Sequence, residues 1–236
     1  MKLTSSVIAL AAGVLAFPAF AGPVADAEAA LRQAYGSYRA ALFLSNQNKG
    51  PETAQALMEF DAAWDGLSAS WQAAPPPQYA DDAGLSVTFG AVNSLVEMAS
   101  AQVGSGDLAA AHATLEEVRD EIGALHTRNG LIGFSDRMNA YHAAMEEVLA
   151  TDYAALGDVA PAHLMADAKL LDYLAAQIVA HPAPEADDPA YVQLVAGFGA
   201  SVAAFKEAAD AGDVAAGIAA QGQLKVPYSK LFAKFG

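Results

Sequence analysis

Three side chains able to hold a soft metal stand at helical spacing in Asp136-Arg137-Met138-Asn139-Ala140-Tyr141-His142-Ala143-Ala144-Met145-Glu146-Glu147. Met138, His142 and Met145 fall at i, i+4 and i+7, so on a helix two thioethers and an imidazole share one face. The chain has no cysteine, which leaves Met and His as the soft ligands for copper(I). His126 lies just before the turn Asn129-Gly130 and can supply a fourth ligand if the two helices fold back on each other. The expected metal set is therefore Met138, His142, Met145 and His126, with copper as the ion. The structural alternative is a buried methionine stripe whose one histidine bonds a carbonyl or a water.

Other chemistry finds less support. His163 and Met165 are two residues apart and point to different helix faces. His112 and His181 sit near a helix start and a proline-rich loop, and the Glu116-Glu117 and Glu146-Glu147 pairs read as solvated faces. A di-iron carboxylate site would use Glu-x-x-His pairs on facing helices, and the sequence contains none. Gly-x-Ser-x-Gly, a phosphate-cradling glycine loop and His-Glu-x-x-His are also absent. Binding is expected, and catalysis is not.

The elements that must position these residues are helical. Alanine is abundant, β-branched runs are scarce, and Pro and Gly cluster between long periodic segments. The pattern predicts eight helices near 24–47, 52–73, 81–103, 107–128, 135–153, 160–180, 188–210 and 213–234. Asn48-Lys49-Gly50-Pro51 combines a helix-stopping Gly with a Pro suited to a first turn. Gly104-Ser105-Gly106-Asp107 ends in an N-cap residue, and Asn129-Gly130 supplies left-handed positions for a C-cap. Leu57, Phe60, Trp64, Leu67 and Trp71 follow helical spacing as core positions, as do Leu164, Ala168, Leu171 and Leu174.

The N-terminus bears on the compartment. Lys2, the apolar run Val7 to Phe17, and Ala19-Phe20-Ala21 with small residues at −3 and −1 read as a cleaved secretory signal peptide over residues 1–21. That places the mature chain in the periplasm, with no later segment apolar enough to enter a membrane. The chain carries a net charge of −15, and loss of Lys2 makes the mature protein one unit more acidic. Such a surface repels nucleic acid and anionic lipid and attracts cations or a basic periplasmic protein.

A constant shift of 106 residues relates the two halves. Ala80-Asp81-Asp82 recurs as Ala186-Asp187-Asp188, Gly106-Asp107 as Gly212-Asp213, Asp61-Ala62 as Asp167-Ala168, and Tyr35 as Tyr141. The expectation is an all-α protein of two tandem antiparallel four-helix bundles, residues 22–130 and 131–236, joined by the apolar link 130–133. At the same shift Met138, His142 and Met145 fall on Arg32, Gly36 and Arg39, so the metal set belongs to one half alone.

The stretch Gly222-Gln223-Leu224-Lys225-Val226-Pro227-Tyr228-Ser229-Lys230-Leu231-Phe232 resembles the last helix of class II cytochromes c, the cytochrome c′ family. The resemblance implies an exported four-helix bundle. The family's Cys-Lys-x-Cys-His motif would fall with Leu224 and Pro227 on the two cysteines, Lys225 on the lysine and Tyr228 on the axial histidine. Covalent haem attachment is therefore missing here. The expected function is copper handling or buffering. The alternatives are non-covalent haem in an electron carrier, held by a Met and a His from different helices such as Met138 with His126, and a cofactor-free binding or scaffold protein.

Overall fold

A computed structural model describes residues 22–236, so the leader expected at 1–21 lies outside the described residues. The chain is helical, with no strand among the described residues. Among the described residues nine α-helices run in the order α1 Pro23–Asn46, α2 Gly50–Ala73, α3 Leu85–Ser105, α4 Leu108–Arg128, α5 Phe134–Ala150, α6 Ala160–Ala180, α7 Pro189–Asp210, α8 Val214–Gln221 and α9 Lys225–Phe235. Short 3-10 turns at Pro77–Tyr79 and Tyr153–Val159 fill two of the connections.

The breaks follow local chemistry. Asp107 and Asp213 each cap the helix that follows by accepting the backbone N–H three residues on, both at 3.0 Å. The glycine before each cap, Gly106 or Gly212, has positive φ, which only a residue without Cβ adopts freely. Two details differ from expectation. The first turn ends on left-handed Asn48 (φ 57) rather than on Gly50, and at the end of α4 only Gly130 is left-handed. Asn129 keeps negative φ and spends its side-chain amide on Asp82 and the Leu125 carbonyl.

The last helix, expected over 213–234 with a turn loosened at Pro227, is divided outright. Gly222, Gln223 and Leu224 interrupt it, and Pro227 lies in the first turn of α9. A proline inside a continuous helix would lose a backbone bond and press its ring on the carbonyl four residues back. Restarting at Lys225 leaves Gln223 outside the new helix and relieves both.

In the first half α1 packs on α2 and α4, and α3 packs on the same two. In the second, α5 meets α6 and α9, and α7 meets α6, α8 and α9. Aromatic side chains fill the first interior as a chain of contacts, with Tyr38 on Phe60, Phe60 on Trp64, and Trp64 on Phe89 at ring separations of 5.4–5.8 Å. Tyr141, Phe198 and Tyr228 do the same in the second. Of the expected core positions, all are buried except Leu174, which is half-buried.

The halves touch through α1 with α9 and α4 with α5. This seam is polar. Arg32 on α1 forks onto Glu185 at 2.7 and 3.3 Å and donates to the Phe235 carbonyl at 2.7 Å. Asn139 on α5 reaches the Tyr35 hydroxyl at 3.4 Å.

Candidate functional site

The four expected metal ligands divide among three surroundings. Met138 and Met145 are fully buried in the continuous core. Both lie on the stripe that α5 turns inward with Phe134, Tyr141 and Val148. His142, one step round the helix, leaves that stripe. Its Nδ1 accepts from the Arg119 guanidinium at 2.9 Å, which sets the ring proton on Nε2. Nε2 then faces Glu146 at 3.4 Å, and the ring stacks on Tyr228 with centroids 5.3 Å apart. Burial first, and then the Arg119 cation, lower the His142 pKa below that of a free imidazole.

His126 occupies a different place. Its Nδ1 bonds both oxygens of Asp136 at 2.9 and 3.0 Å, and Nε2 faces Glu28 at 3.5 Å. Glu28 in turn accepts from the Tyr79 hydroxyl and the Gln78 amide, each at 2.8 Å. Burial opposes charge on this ring, but the Asp136 hydrogen bond and the two carboxylates outweigh it, and the pKa is raised. The carboxylates sit on opposite edges of the imidazole, so the three groups do not surround a common point. Among the described residues no group of three or more His, Asp or Glu side chains is placed to hold a metal ion.

Both histidines open onto cavities between the halves. The smaller, 460 Å³, lies among α1, α4, α5 and α9 and is lined by His112, Glu116, Arg119, His142, Glu146 and Tyr228 among others. Its charges are mutually engaged. Arg119 meets Glu116 at 3.4 Å, Lys225 meets Glu146 at 2.9 Å, and His112 faces Glu116 at 3.6 Å. Tyr228, which the cytochrome resemblance sets in the axial position, stacks on Tyr141, His142 and Phe232. Its hydroxyl is buried without a partner, and burial pushes its pKa well above the ordinary phenol range.

The larger cavity, 890 Å³, is bounded by α1, the end of α4, residues 131–136 and the turn before α7. That size is typical of small-molecule chambers. Apolar wall comes from Ile122, Leu131, Ile132, Phe134 and Pro184. Arg32, Arg39, His126 and Asn139, with the carboxylates Glu28, Asp136 and Glu185, supply its polar groups. Arg39 is 7% exposed, yet its single hydrogen bond is a long one of 3.5 Å to the Phe232 carbonyl. Its Nε has no partner, and no ion pair to it forms among the described residues. Gly36, one turn before, leaves space beside it. A Cβ there would come within 3.7 Å of the Arg39 guanidinium.

Motif reading passed over Arg32, Arg39 and Arg119, because single arginines belong to no catalytic or metal pattern. One signal was present. Arg39 falls in phase with the apolar positions Leu31, Tyr35, Tyr38 and Leu42, where a helix turns toward its core. Compared with protein-family models, curated proteins and solved structures, the chain matches none.

Proposed function

We propose that this is a periplasmic, cofactor-free binding protein built of two tandem antiparallel four-helix bundles, with its ligand chamber between them. The 106-residue shift supports the duplicated reading, since Gly106 and Gly212 share their left-handed turn and Asp107 and Asp213 their capping bond. The observation that carries the binding reading is the 890 Å³ cavity of mixed apolar and charged wall. It lies between the halves, whereas aromatic rings occupy the interior of each half. In this reading the role is capture rather than turnover. A basic partner protein would dock on the side of α2 and α3. Residues 50–118 contain ten Asp and Glu and no Lys or Arg, and Met58, Val87 and Met98 on those helices are exposed.

Metal loading is the second reading, favoured by one distance. The Nε2 of His142 and the Oε1 of Glu146 lie 3.4 Å apart, a spacing from which both can reach one ion at about 2.1 Å. Copper at this edge would displace Lys225 from Glu146 and draw Met138 and Met145 out of the core. Non-covalent haem would likewise have to displace aromatic core.

Two measurements decide. Metal analysis of protein isolated from the periplasm compares wild type with a Met138→Leu/His142→Ala/Met145→Leu variant. Equal, substoichiometric copper and iron in both is the expected result, and stoichiometric metal lost in the variant would establish the metal reading instead. In parallel, Gly36→Phe fills the chamber. It is expected to abolish small-molecule binding seen by calorimetry while leaving the helical circular dichroism unchanged.

A further inference from the structure

Arg39 is a charge without a counter-charge. A buried guanidinium is normally forked onto a carboxylate or saturated by carbonyls, because removing it from water is otherwise costly. Here five N–H groups share one 3.5 Å contact to a backbone oxygen. The carboxylate that acts on it across the cavity, Glu185, is already held by both nitrogens of Arg32. Burial, and next the neighbouring Arg32 cation, bring the Arg39 pKa down to about 10, which still leaves it charged at neutral pH. An isolated cation is the more unusual in a protein of net charge −15, where carboxylates outnumber basic groups more than twofold.

The surroundings match one chemistry. Ile122, Leu131, Phe134 and Pro184 line the same cavity and favour an apolar body. Within the same cavity the Asn139 amide oxygen is buried without a hydrogen-bond partner, so a further polar group of a ligand has a place to go. A bare inorganic anion would satisfy the guanidinium and leave the apolar wall uncovered.

We propose that the chamber binds an organic carboxylate with an apolar body, its carboxylate forked onto Arg39 and its body against the Ile122–Phe134–Pro184 wall. This rests on the chamber being a ligand site and adds the ligand's class. The fork is the geometry that guanidinium and carboxylate share.

Calorimetry on the mature chain with matched pairs, phenylacetate against phenylacetamide and octanoate against octanamide, tests it, with sodium sulfate as the bare anion. In wild type and in the surface control Lys230→Gln, each carboxylate is expected to bind at least tenfold tighter than its amide and than sulfate. In Arg39→Met the pair should fall to parity, and Arg39→Lys should keep a reduced preference. The melting temperature of ligand-free Arg39→Met is expected at or above that of wild type, because an uncompensated buried charge is removed. A lower value would make Arg39 a structural donor and overturn the proposal. Parity in wild type, sulfate binding equal to that of the carboxylates, or a preference that survives Arg39→Met would do the same. If both members of a pair bind wild type equally and Gly36→Phe abolishes both, the chamber stands and its ligand class is wrong. If none of the probes binds, both readings fail.

Discussion

At the scale of the residue, two histidines of the same chain respond to pH in opposite senses. His126 has a raised pKa, held up by Asp136 and Glu28 against burial. Its stabilising effect is therefore complete below the unfolded imidazole value of about 6.5 and is lost as pH rises through the elevated native value. His142 is held neutral by burial and Arg119. It favours the fold above about 6.5, and that contribution is lost as pH falls through its depressed native value. The melting-temperature deficit of His126→Gln should thus be larger at pH 5.5 than at pH 9. The deficit of His142→Gln should show the reverse order. A His126→Gln deficit that grew with pH would mean that the ring does not act as an imidazolium between its two carboxylates. The surroundings of His142 were not legible in Asp136–Glu147 because Arg119 lies on another helix, and for His126 the Asp136 partner stands in that stretch while Glu28 is remote in sequence.

At the scale of the element, capping and core filling carry the predictions. Asp107→Ala and Asp213→Ala each remove one bond of 3.0 Å to an orphan N–H at a helix start. Each should cost about 1 kcal/mol by urea denaturation. Near-equal losses are expected from the matched turns, although α4 runs unbroken and α8 stops after eight residues. Trp64 is completely buried between Phe60 and Phe89, and Trp64→Ala should cost about 3–5 kcal/mol. A loss below 1 kcal/mol would mean that the first interior collapses around the vacancy. Helix spans, aspartate caps and the aromatic stripe of α2 were legible because each depends on residues within a few positions. The division of the last helix was half legible. Pro227 announced a defect, but the break lies upstream, at the glycine and the two residues that follow it.

At the scale of the whole molecule, charge is unevenly spread. Residues 50–118 carry ten acidic and no Lys or Arg side chains. On α2 the Asp61 carboxyl is raised by burial first, and then by Asp65 and by Glu97 across on α3. Such crowding is relieved by screening over a Debye length of about 10 Å at 0.1 M salt. Raising sodium chloride should therefore raise the melting temperature of wild type more than that of an Asp65→Asn/Glu97→Gln variant. Equal responses would mean that the repulsion is spread over the whole surface. On the opposite side the halves are joined by Arg32 with Glu185 and by Asn139 with Tyr35. These polar pairs lie beside the two cavities that open between the halves.

The sequence alone determined the helical class, most helix ends, the aspartate caps and the core stripes, because periodicity and capping act over one to three turns. It also determined that any site must do without thiols. Tertiary structure decided what each inward stripe meets. Met138, His142 and Met145 share a helix face by register, yet α5 turns the two methionines into its own core and the histidine toward Arg119 of α4. The positions that a 106-residue shift pairs with them, Arg32, Gly36 and Arg39, line the larger cavity. A helix face has no fixed environment until its neighbours are placed. Here the neighbours of α1 include α9 and the turn before α7, more than 130 residues away along the chain.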